Sequence, residues 1–172
     1  MKSAPSLLDT IVQSATVELF HSYGVAVAPM PRRPVRPASL PDGHCGTITF
    51  NGQGMNGTLT LFVPTPILGL TKAKSLQPLQ ARDWIRELTN QLMGRIKTRL
   101  LQLQVTLQIG LPSALDRRLV ERRQKPSGSQ LLFEFRTIRD EITVTLEGTF
   151  DESGFKYTGT ANPGSEGDVI IF

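Results

Sequence analysis

The stretch DWIRELTNQLMGRIKTRL, residues 83–100, decides how the rest of the chain is read. At about 100° per residue, Trp84, Ile85, Leu88, Leu92, Ile96 and Leu100 share one broad apolar stripe, which continues to Leu103. Asp83, Glu87, Asn90 and Gly94 fall opposite, within an arc of roughly 60°, flanked by Gln91 and Thr98. The spacing predicts an amphipathic helix over 81–104 with one face on a core. A polar helix face is most often simply solvated, and Asp83, Glu87 and Asn90 fit that reading. Gly94 argues against it, because glycine inside a helix costs about 1 kcal/mol relative to alanine. A glycine is kept there where another backbone comes close, either a neighbouring helix of the same chain or a partner.

Working outward, residues 44–62 hold two alternating runs, GTITF and TLTLFV, joined by the glycine-rich NGQGMNG. Alternation of threonines with Ile48, Phe50, Leu59 and Leu61 predicts a hairpin with one face buried. Pro64 and Pro66 stop the second strand, and a short helix plus connector is expected over 65–80. Downstream, VTLQI (105–109) alternates again, 115–129 reads as a basic loop or short helix, and 131–137 with 141–150 reads as a second hairpin. At the start of the chain, Leu7, Leu8, Ile11, Val12, Ala15, Leu19 and Phe20 have helical spacing, with Ser6 placed to cap and Gly24 to end it. Helix, strands, helix, strands is the order of an α+β fold: two long helices packed on a largely antiparallel sheet. Ser14, Glu18 and His21 on the first helix repeat the four-then-three spacing of Asp83, Glu87 and Asn90, which suggests a duplicated unit.

A chain of 172 residues, 39% hydrophobic and 20% charged, is long and apolar enough for one domain with a true core. The segment 29–43 carries five prolines and is expected to be an extended loop; 151–172 is expected to be a Gly/Ser-rich tail. No apolar run approaches the roughly 20 residues of a membrane span, and the N-terminus lacks the apolar centre of a signal peptide. With a single cysteine, Cys45, the expectation is a cytoplasmic address and no membrane partner. The net charge of +4 is dispersed, and aromatics, at 6%, are not interleaved with the basic clusters, so nucleic acid is not the expected partner.

The chemistry on offer is narrow. His21 and His44 are the only histidines and lie in no ligand-spaced cluster, so no metal site is expected. No Ser-His-Asp set or glycine elbow is present. NGQGMNG lacks the Lys-Ser/Thr of a phosphate-cradling loop. What remains is a carboxylate and a carboxamide one turn apart. An amide orients water for in-line attack on phosphorus, and a carboxylate pairs with a partner's lysine; together they suit hydrolysis of a phosphoryl group carried by another protein.

Asp83, Glu87, Asn90 and Gly94, read as D-x-x-x-E-x-x-N-x-x-x-G, resemble the signature of the CheC/CheX family of chemotaxis phosphatases. GTITFNGQGMNGTLTLFVP resembles the strand pair before that helix in CheX, VTLQIGLPSAL with Pro112 the strand and proline after it, and LLFEFRTIRDEITVTLEG the closing hairpin, so the likeness runs over residues 6–150 in order. The resemblance implies a CheX-like domain over 1–150 with a CheC-like pseudo-repeat. The implied activity is hydrolysis of the aspartyl phosphate on a CheY-like response-regulator receiver domain in two-component signalling. Asn90 would orient the water and Glu87 would salt-bridge the receiver's lysine. Asp83, Gln91, Gly94 and Thr98 would touch the partner. The implied Mg²⁺ is supplied by the receiver, with no cofactor of the chain's own. His21 stands where the first repeat would need Asn, so that half is expected to be silent, as in the CheX type, which implies a homodimer. The alternative is a non-catalytic CheX-like module that binds a receiver or a motor-switch partner.

Overall fold

A computed structural model describes residues 6–31, 41–116 and 128–156. In chain order the elements are α1 (Leu7–Ser22), β1 (Ala28–Pro29), β2 (Gly43–Gly52), β3 (Met55–Pro64), α2 (Thr65–Lys72), α3 (Pro78–Gln102), β4 (Leu107–Ile109), β5 (Ser113–Leu115), β6 (Ser129–Arg136) and β7 (Glu141–Phe150), with a 3₁₀ turn at Glu152–Gly154. The strands form one sheet in the order β1-β6-β7-β3-β2-β4, with β5 also on β2. All its pairings are antiparallel. The fold class is therefore α+β as expected, with α2 as a third helix.

The sheet order reads the same backwards when β1, β2 and β3 are exchanged for β4, β6 and β7. That is the mark of two α-β-β-β units related by a pseudo-twofold axis between β3 and β7, each lending its first short strand to the other's hairpin. At that seam Gly57 lies opposite Gly148. A Cβ on either would collide with the facing backbone, at Glu147 O and Asn56 O respectively, so glycine permits the two halves to join.

The helices end alike. At α1 the Gly24 N–H donates to His21 O (2.9 Å) and the Val25 N–H to Phe20 O (3.0 Å), with Gly24 at φ +76°. At α3 Gln104 donates to Leu101 O (3.0 Å) and Val105 to Leu100 O (2.9 Å), with Gln104 at φ +60°. Both are Schellman caps. The caps align α1 with α3 so that Thr10 matches Asn90 and Leu7 matches Glu87. The Ser14-Glu18-His21 match is thus out of register by about three turns, which leaves its angular face unchanged and explains why spacing alone suggests it.

Ser6 caps α1 as expected: its Oγ accepts from Asp9 N (3.1 Å) and its own N–H donates to Asp9 Oδ2 (3.2 Å). The helix of 83–100 starts earlier than its apolar pattern, because Pro78 fits the first helical position, where no N–H is needed. Leu8, Ile11, Leu19 and Phe20 of α1 and Ile85, Leu88, Leu92 and Ile96 of α3 close over Ile48, Leu59, Leu61, Phe135, Val144 and Leu146 of the sheet in one core. Residues 32–40 of the proline-rich segment, 117–127 of the basic stretch and 157–172 of the tail lie outside the described residues. The start of the tail is docked: Phe155 packs on the core and Lys156 N donates to Leu103 O (2.9 Å).

Candidate functional site

The site is built by how α3 sits on β2. Gly46 of β2 faces the helix at a distance where a Cβ would strike Thr89 Oγ1 and come within 2.9 Å of Ile85 O. Thr89 is fully buried there, its Oγ1 donating to Ile85 O (2.6 Å). With Thr89 locked against the sheet, the next residue turns about 100° toward solvent. That residue is Asn90. Its side chain is half-buried and has no hydrogen bond among the described residues. A carboxamide with two donors and an acceptor, held by a rigid helix and left unbonded, is ready to bind water or a partner.

Glu87, one turn earlier, is exposed and not unpaired: its Oε1 accepts from Gln91 Nε2 (2.8 Å). Asp83 is exposed and ion-paired with Arg86 at 3.5 Å. Thr98 uses its hydroxyl within the helix, donating to Gly94 O (3.0 Å). A Cβ added at Gly94 would meet no heavy atom within 4 Å, so the neighbouring helix of its own chain does not account for this glycine. All six predicted residues therefore lie along one side of α3, with Glu87 and Gln91 in direct contact.

Two features went unseen in the sequence. Leu101, 57% exposed, falls on the same stripe as Asp83 and Gly94 and ends it with an apolar contact point. Its position on the wheel was available as a signal. The other is a cavity of about 350 Å³ at Glu87, lined by Lys72, Lys74, Leu76, Gln80, Asp83 and Trp84. Lys72 Nζ lies 3.8 Å above the Trp84 ring, and Trp84 Nε1 donates to Thr71 Oγ1 (2.7 Å). This side of α3 is thus zwitterionic, with acids on the helix and two lysines beside it.

On α1, Glu18 is committed elsewhere. Its Oε2 is 2.6 Å from Arg99 Nη2 and 3.5 Å from Arg95 Nη1. Arg99 is 3% exposed, buried against Glu18 of α1. Among the described residues no cluster of three or more His, Cys, Asp or Glu is placed to hold a metal ion. No helix there is long and apolar enough to cross a membrane.

No protein-family model and no curated protein matches the sequence. Solved structures do match in three dimensions. The chemotaxis protein CheX of Vibrio vulnificus superposes with a TM-score of 0.68 at 14% identity, over 85% of this chain and 99% of that one. A CheC-like superfamily protein of Shewanella gives 0.64 at 14% identity, over 81% and 96%. CheX of Borrelia burgdorferi, solved in complex with CheY, BeF₃ and Mg²⁺, gives 0.61 at 10% identity, over 84% and 98%. The fold is that of the CheC/CheX chemotaxis proteins. Within that class the matching CheX chains are covered almost end to end.

Proposed function

We propose that this chain hydrolyses the aspartyl phosphate of a CheY-like response-regulator receiver domain. The observation that carries the reading is Asn90: a carboxamide without a hydrogen bond among the described residues, turned outward on a helix whose other side is locked to the sheet. The CheX-CheY complex among the structural neighbours supports the choice of partner.

Asn90 accepts a hydrogen bond from a water molecule and fixes it behind the phosphorus, in line with the bond to the aspartyl oxygen. The water oxygen bonds to phosphorus as that bond breaks. The aspartate leaves as a carboxylate, the phosphate is released inorganic, and the water's proton goes to the phosphate. Asn90 need not take a proton; it supplies position. Glu87 docks on the receiver's lysine, and Asp83, Gln91, Gly94 and Thr98 complete the contact. The Mg²⁺ belongs to the receiver. A cytoplasmic address and a homodimer are part of the same proposal, the second checked by sedimentation.

The test is the lifetime of phosphorylated receiver with Mg²⁺ present. Wild type shortens it and Asn90→Ala does not. A receiver bound without loss of phosphate would select the non-catalytic module instead.

A further inference from the structure

Glu87 is held by a chain of hydrogen bonds that begins in the other half of the molecule. Tyr23, the cap residue of α1, donates its hydroxyl proton to Gln91 Oε1 (2.8 Å), and Gln91 Nε2 donates to Glu87 Oε1 (2.8 Å). The direction is fixed by chemistry. An ionised carboxylate only accepts, so the amide nitrogen of Gln91 must face Glu87 and its oxygen must face Tyr23, which must then donate. Tyr23 is itself fixed, its ring edge-on to Trp84 at 5.3 Å and 90°. Trp84 is held in turn by Thr71 and capped by Lys72. Without this chain an exposed glutamate would sample several rotamers and lose that freedom on docking.

Resting on the proposed function, we propose that Tyr23 is a positioning residue that acts through Gln91 to preorganise Glu87 for the receiver. It touches neither phosphate nor water, so its effect falls on binding and not on the chemical step.

Tyr23→Phe keeps the ring and removes only the donor. With phosphorylated receiver it raises KM about fivefold, the scale of one hydrogen bond, and leaves kcat within about twofold. In the Glu87→Ala background the same substitution has no further effect on KM, because the group it positions is gone. In the free protein, the Gln91 side-chain amide is ordered in wild type and falls below an order parameter of about 0.6 in Tyr23→Phe. A Gln91 amide equally ordered in both proteins overturns the inference, as does an undiminished Tyr23→Phe effect on KM without Glu87. Should wild type act on no receiver, the proposed function fails, while the amide measurement still decides whether Tyr23 holds the chain in place.

Discussion

Asn90 and Gly94 occupy one helix face and bear opposite relations to stability. Asn90 makes no side-chain hydrogen bond among the described residues, so Asn90→Ala should leave the thermal midpoint of unfolding nearly unchanged while lowering the dephosphorylation rate about 100- to 1000-fold, the usual loss for one group that stabilises a transition state. Gly94 faces open space, so Gly94→Ala should stabilise the fold by about 0.5–1 kcal/mol. The same methyl stands where a partner's backbone would approach, so receiver affinity should fall as stability rises; calorimetry and titration of the receiver check the two halves. A gain in stability with no loss of affinity would place the partner elsewhere. His44 gives a pH dependence. Burial lowers its pKa against the opposing pull of Asp42, so the unfolded chain takes up the proton more readily. The stabilisation is full above the ordinary value of 6.5 and is lost as pH falls through the folded pKa. Urea midpoints between pH 7.5 and pH 5 should therefore drop less in His44→Gln than in wild type.

Among the elements, α3 was readable because its signals are local. Its apolar period and outward glycine lie within one stretch, and the two hairpins follow from strict alternation. What escaped is what depends on partners far along the chain. The Tyr23–Gln91 bond joins residues 68 apart, and nothing in either local pattern marks it. β5 is three residues long, too short for alternation to declare itself. The repeat is visible as spacing but misplaced by about three turns, since a helix face looks nearly the same after that shift; only the matching caps set the register. With that register Glu18 is a structural anion. Arg99 is buried against it, with Nη1 also donating to Arg95 O (3.4 Å). Glu18→Ala strands that guanidinium and should cost about 1–3 kcal/mol in urea unfolding, less than the roughly 3–5 of a fully buried pair because Glu18 is 39% exposed. Arg99→Met, which removes the charge with the stem kept, should cost less than Glu18→Ala. The reverse order would mean that Glu18 is not what neutralises Arg99.

At the scale of the molecule, a pseudo-symmetric scaffold carries an asymmetric site. Each half supplies a long helix with a Schellman end and lends a strand to the other half's hairpin. Both helices reach the positions of the acid and the amide, but only α3 carries them; in α1, which begins at Leu7, the counterparts are Leu7 and Thr10. In the proposed function the second half would present the chemistry, and the first half contacts it through Glu18 on Arg99 and Tyr23 on Gln91. The proposed function stands or falls with Asn90 placing water on a phosphate held by another protein. The sharpest check is the decay of the aspartyl phosphate on a purified CheY-like receiver, followed with Mg²⁺ in the presence of wild type or Asn90→Ala. Rapid decay is expected with the first and the receiver's own slow decay with the second; equal acceleration by both proteins would refute the role given to Asn90.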